Sequence, residues 1–377
     1  MRIPPKLLLA TLLLTVTSVS WAACPEGQKQ TYKGCESADE KVTEVTGQTY
    51  KGCEETDSNL CYYDYTRKGS NQIIVYEHTG VDATDRKKVK VDLVQIQKFL
   101  SAGPASPTHV HMFHSKKSDL LAIGKNVCDI KNDDYSGCPR HWAKTTGQDT
   151  NASADAGGRA QPNCQIMLSE YWWSRNSKNS PEKRLSIIAH EYFHCHQFGL
   201  GAAFEAERQY GWAKSEYPDK RVGVSAGGPD WLKEGGATYF GANYAAKQDK
   251  RFNYREQMRW KLEEARGAFK KGNRLQKHIS QNQSNANGRR FSYDGGAWGT
   301  AYLASLSSNK AVFINYYKDI AELERECRKK GKRNCGWEDS FKKNFGLTPK
   351  QFYEDFNKFM KKRITTQMKI LMDPLKK

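Results

Sequence analysis

Fifteen residues hold the densest chemistry of this 377-residue chain: Leu185-Ser-Ile-Ile-Ala-His190-Glu191-Tyr-Phe-His194-Cys-His196-Gln-Phe-Gly199. Within them, His190-Glu191-x-x-His194 sets two imidazoles four residues apart. On a helix those positions share one face, so both rings can reach one metal ion. Glu191 stands beside the first of them, where it can take a proton from a water at that metal. The chemistry therefore requires a helix. Leu185, Ile187, Ile188 and Ala189 give it an apolar face to bury, Ser180 and Pro181 open it, and Gly199 ends it.

Two histidines leave a hydrolytic zinc one protein ligand short, because the fourth position must stay open. Glu234 is the candidate third ligand. It follows a Trp231-Leu232 anchor, and the small residues Gly235, Gly236 and Ala237 allow close helix approach. The 39 residues from 195 to 233 require a loop or an extra turn between two separate helices.

These residues resemble a known group. His190-Glu191-x-x-His194 followed by Trp231-Leu-x-Glu234-Gly-x-Ala237 is similar to the gluzincin metallopeptidases, of the aminopeptidase N-like, collagenase-like and peptidase MA-like kinds. The resemblance implies one zinc ion per chain, held by His190, His194 and Glu234, with Glu191 as the base. Tyr293-Asp-Gly-Gly-Ala297 resembles the tyrosine segment whose hydroxyl stabilises the oxyanion, which gives Tyr293 that role. His278 and Tyr302 are the runners-up. Phe341, Phe345-Gly346, Phe352 and Phe356 resemble the closing helices of small gluzincin domains.

The chain departs from the group in two places. No Gly-x-Met-Glu-Asn segment precedes the active helix, so the device that grips a substrate's amino terminus is missing and an endopeptidase is expected. Thr238 stands four residues after Glu234, where thermolysin-like members carry an aspartate that supports a ligand histidine. Asp230 is then the candidate support.

The implied fold class is α+β. A zincin-like catalytic domain, with a small mixed sheet packed on the active helix, is followed by a mostly helical C-terminal subdomain. Strands are expected at 72–78, 108–114 and 163–168, and the last is a candidate to pair with an extended substrate. A helix is expected at 83–100, and a long loop over 129–163. Further helices are expected at 229–247, 252–271 and 310–326, with a loop at 280–292 before Tyr293 and a helix running on through Leu306. His109 and His111 fall on one strand face, either as a second metal site or as exposed histidines of an edge strand.

Residues 1–22 read as a secretory signal, with Arg2 and Lys6 before an apolar core and cleavage near Ala22. The reading implies an extracytoplasmic protein, periplasmic or secreted, with no transmembrane segment. Cys24 offers a lipoprotein alternative that Trp21 fits poorly. Residues 23–66 form a cysteine-rich segment in which Gln30-Thr-Tyr-Lys-Gly-Cys-Glu36 recurs at Gln48. Residues 67–200 then carry the sheet and the active helix, and 201–377 the helical subdomain with Glu234.

The ten cysteines, an even number in an exported chain, point to disulfides. Cys128 is expected to pair with Cys138, Cys327 with Cys335, and Cys24, Cys35, Cys53 and Cys61 among themselves. Cys164 and Cys195 remain, either as a further pair or with Cys195 as a buried free thiol. The net charge of +18 suits solubility or attraction to an anionic surface polymer; no nucleic-acid motif accompanies it. Two functions follow as expectations: a zinc metallopeptidase acting on peptides or proteins, or a non-catalytic cationic binder of an envelope polymer with a structural or vestigial zinc site.

Overall fold

The computed structural model describes residues 28–31, 34–37, 72–76, 78–100, 107–131, 137–146, 152–157, 163–200, 228–279, 286–307, 311–332 and 335–371. The signal segment 1–22 and the second repeat copy at 48–54 lie outside them, as do the side chains of Cys24, Cys35, Cys53 and Cys61. The chain divides into two compact units, Met1–Thr49 and Tyr50–Lys377. In the first unit, β1 (Gln28–Thr31) and β2 (Gly34–Ser37) pair antiparallel with Gln28 opposite Ser37, so residues of the first repeat copy fall on both strands.

The second unit is α+β, mostly helical with one mixed four-stranded sheet. Its strands are β3 (Ile73–Val75), β4 (Thr108–Phe113), β5 (Ala152–Gly157) and β6 (Asn163–Ser169), in the order β3-β4-β6-β5. β3, β4 and β6 run parallel, and β5 is antiparallel on the edge beside β6. Helix α1 (Ala83–Leu100) makes the crossover from β3 to β4.

Alternate residues of the sheet divide between two apolar clusters. Val110, Met112, Ile166 and Leu168 join Leu93 and Ile96 of α1 in the main core. Phe113 and Met167 face the other way, onto α2 (Leu120–Lys131) and α3 (Cys138–Thr146), which the Cys128–Cys138 disulfide ties together. The 129–163 stretch is therefore not one long loop. It holds the end of α2, α3 and β5. Ala152-Ser-Ala-Asp-Ala-Gly157 has no β-branched or aromatic residue to signal a strand, and it forms one by pairing with β6.

After α4 (Glu170–Trp173), α5 (Pro181–Leu200) packs on β5 and β6, and the Cys164–Cys195 disulfide joins β6 to α5. Of the two expectations for Cys195, the pair is the one formed. Helix α6 (Asp230–Gln248) lies between α5 and α8 (Ala286–Leu306), with α7 (Tyr254–Lys270) against α8. Glycine makes both α6 contacts possible. A Cβ on Gly235 would sit 2.1 Å from the Gly296 backbone of α8, and one on Gly241 would sit 2.4 Å from the Ser186 carbonyl of α5. Gly235 therefore serves the α8 side, and Gly241, unremarked in the sequence, serves the active helix.

Helices α9 (Ala311–Lys329), α10 (Gly336–Phe345), α11 (Pro349–Met360) and α12 (Ile364–Gln367) close the fold, with Cys327–Cys335 linking α9 to the start of α10. The phenylalanine series has a definite use. Phe352 stacks on Trp231 at 5.1 Å, and the Trp231 indole donates to the Tyr353 hydroxyl at 3.1 Å. The C-terminal helices thus brace the first turn of α6. Among the described residues no helix is long and apolar enough to cross a membrane.

Candidate metal centre

The α5 helix turns His190, Glu191 and His194 into one buried pocket, with their donor atoms within 4.8 Å of one another. Across it, α6 presents Glu234. The His190 and His194 Nε2 atoms are 3.1 Å apart, and Glu234 Oε2 lies 3.7 Å from the first and 3.2 Å from the second. A tetrahedral ion with bonds of about 2.0–2.1 Å spaces its ligand atoms about 3.3–3.4 Å apart. The triangle in the protein has the size such an ion needs, so the residues present fit a metal.

Neighbouring groups orient each donor. The Lys233 carbonyl can only accept, and the Gln197 amide nitrogen donates to it at 3.1 Å and to the Tyr317 hydroxyl at 2.8 Å. Gln197 Oε1 is thereby turned to accept from His194 Nδ1 at 2.8 Å. His194 must then carry its proton on Nδ1, leaving the Nε2 lone pair directed inward. His190 Nδ1 meets the Thr238 hydroxyl at 3.3 Å. Lys233 Nζ binds Glu234 Oε1 at 3.1 Å and Asp230 at 3.2 Å, leaving Glu234 Oε2 for the imidazoles.

The expectation for Asp230 is corrected by this geometry: it pairs with Lys233, and Thr238 and Gln197 take the histidines. Gln197 was detectable in principle, three residues from His194 on the same helical face. Nothing local in the sequence distinguishes it from a surface glutamine.

The electrostatics separate the two carboxylates. Burial pushes Glu191 up to about 7, reinforced by Glu234 and partly opposed by His194 and the Ala154 N–H of β5. Burial also works against Glu234, yet His194 and Lys233 beside it hold it well below the ordinary range. Glu234 is therefore a permanent anion and Glu191 a group that exchanges a proton near neutrality. Burial lowers His190 to about 4. His194 is also buried, but Glu234 and Glu191 outweigh that and raise it. Lys233 stays charged because Glu234 and Asp230 more than offset its desolvation.

Tyr293 lies inside α8. The loop expected through 292 is shorter, since α8 already begins at Ala286. The Tyr293 ring runs near-parallel to His190 at 5.8 Å, and its hydroxyl hydrogen-bonds Glu234. The runners-up lie in other surroundings: Tyr302 packs among Phe352, Phe356 and Phe359, and His278 rests against Phe291.

The arrangement is a buried group that could hold a metal ion, with one anionic oxygen, two oriented imidazoles and a second carboxylate beside them. Searches against protein-family models and curated proteins find no match to the chain.

Proposed function

We propose that the chain is an exported zinc metallopeptidase of gluzincin type, acting as an endopeptidase, with His190, His194 and Glu234 holding one zinc ion. The observation that carries the reading is the triangle of two imidazole nitrogens and Glu234 Oε2, with Glu191 beside it. Two nitrogens and one carboxylate oxygen are the donor set of hydrolytic zinc sites. Zinc bound there would supply a Lewis acid and a water acidified toward neutrality.

The chain's own groups account for the remaining steps. Glu191, buried beside the two imidazoles, accepts the proton of the attacking water and returns it to the leaving amine. The Tyr293 hydroxyl stays protonated well past neutral pH and donates to the oxyanion. Substrate binding is reassigned from the sequence expectation. β6 is paired on both sides, by β4 and β5, so it has no edge to offer. β5 is the edge strand, and its Ala154 N–H already points to Glu191. An extended peptide adding to β5 would lie alongside the base. The three disulfides among the described residues fit an oxidising, extracytoplasmic compartment.

Zinc titration of chelator-stripped protein tests the ligand set. The wild type is expected to bind tightly at this site, and Glu234→Ala to lose that affinity by two orders of magnitude or more. Unchanged affinity in a folded Glu234→Ala protein would refute the ligand assignment.

A further inference from the structure

The sheet face turned away from α5 carries a second cluster of imidazoles. Tyr76 extends the β3 ladder, its N–H donating to the Val110 carbonyl at 2.9 Å, and His78 follows two residues on. Opposite them, β4 points His109 and His111 to the same side. The Tyr76 ring stacks on His111 at 4.7 Å and 2°, and its hydroxyl lies 2.9 Å from His109 Nδ1. His78 Nε2 is 3.2 Å from His111 Nδ1, and His111 Nε2 is 2.8 Å from Gln165 Oε1 on β6. β4 is an interior strand and His111 is fully buried, so the expectation of exposed histidines on an edge strand is overturned.

The bonding order sets the lone pairs. Gln165 Oε1 accepts only, so His111 keeps its proton on Nε2 and turns an unprotonated Nδ1 toward His78. This is the arrangement in which an outer amide orients a metal-ligating imidazole. The 3.2 Å between the two nitrogens matches the roughly 3.3 Å edge of a tetrahedral ion bound at about 2.0–2.1 Å. The donors in contact are imidazoles with a neighbouring phenol, a set that favours copper or zinc over calcium or magnesium. His78 and His109 are half-buried, which leaves a route in from solvent.

We propose that His78 Nε2 and His111 Nδ1 form a second transition-metal site, oriented by Gln165, that takes Cu2+ in preference to Zn2+. The preference follows the general affinity order of nitrogen sites. The ion clasps the three-residue strand β3 to β4.

The test uses the full chain, stripped with chelator and titrated separately with Cu2+ and Zn2+. The wild type is expected to bind two equivalents of Cu2+, and His78→Ala one. A His190→Ala/His194→Ala variant should retain one equivalent, with imidazole-nitrogen splitting in its electron paramagnetic resonance spectrum. The second-site ion should also raise the melting temperature of that variant, and Zn2+ should occupy the site more weakly than Cu2+. The proposal is overturned by a first-site variant that binds no Cu2+, by nitrogen splitting that survives adding His78→Ala to it, or by Zn2+ binding more tightly. Should His78→Ala fail to fold, the first-site variant alone decides. A first-site variant that kept both equivalents would refute the peptidase ligand set and leave this proposal standing.

Discussion

Replacing Gln197 separates metal orientation from packing. Its amide oxygen fixes the His194 tautomer, while its nitrogen satisfies the Lys233 carbonyl and the Tyr317 hydroxyl, all within a fully buried site. Gln197→Leu removes both functions. Loss of a partner to a ligating histidine costs about 10–100-fold in metal affinity, or about 1.4–2.7 kcal/mol. Leaving the Lys233 carbonyl and His194 Nδ1–H unpaired costs roughly 1–3 kcal/mol each in folding. Gln197→Glu keeps the acceptor for His194 but sets a carboxylate oxygen against the Lys233 carbonyl. Zinc affinity by chelator competition, paired with urea unfolding of zinc-free protein, distinguishes the two. Both variants should lose stability, and only Gln197→Leu should lose zinc affinity. Gln197→Leu with a zinc Kd within twofold of wild type would refute the tautomer argument, as would equal affinity losses in the two variants.

Three further outcomes follow from the packing. Gly235→Ala forces a methyl to within 2.1 Å of the Gly296 backbone, and its melting temperature should fall by an amount equivalent to about 1–3 kcal/mol or more. Replacing both Cys164 and Cys195 by alanine opens a cross-link spanning 31 residues, and denaturant unfolding should show a loss of about 2–4 kcal/mol. Burial lowers His278 below its ordinary value of 6.5, so the unfolded chain binds this proton more readily than the native one. Its contribution to stability is complete above that value and is lost as pH falls through the folded pKa. His278→Gln should therefore flatten the decline in stability below pH 6.5, measured by urea unfolding at a series of pH values.

The parts of the molecule readable from sequence are those whose cause is local. His190, Glu191 and His194 declare themselves by helical spacing, and α1, α6 and α7 by apolar period or charge. Glu234 was reachable because Trp231 and Leu232 mark the start of a buried helix, although the partner that braces that start is Phe352, some 120 residues later. The pairing of Cys164 with Cys195 could be listed among the options but not chosen, because it depends on β6 lying under α5. Two of the missed elements depend on distant partners. β5 is Ala/Ser/Gly-rich and becomes a strand only beside β6, and the first turn of α8 is Asn/Gly-containing and continues a helix packed on α6. Gln197, Thr238 and Gly241 carry no signature of their own. Their roles appear only when α5 and α6 are brought together.

The central claim is that Glu191 is the base of a peptide-hydrolysing zinc site. Its most direct test is cleavage of a quenched-fluorescent peptide library by wild type and Glu191→Gln, each loaded with zinc and matched for zinc content. Wild-type protein should cleave internal peptide bonds in a chelator-sensitive manner, and Glu191→Gln should bind zinc while losing at least about a hundredfold in rate. Full activity in Glu191→Gln, or no cleavage of any peptide by zinc-loaded wild type, would contradict it.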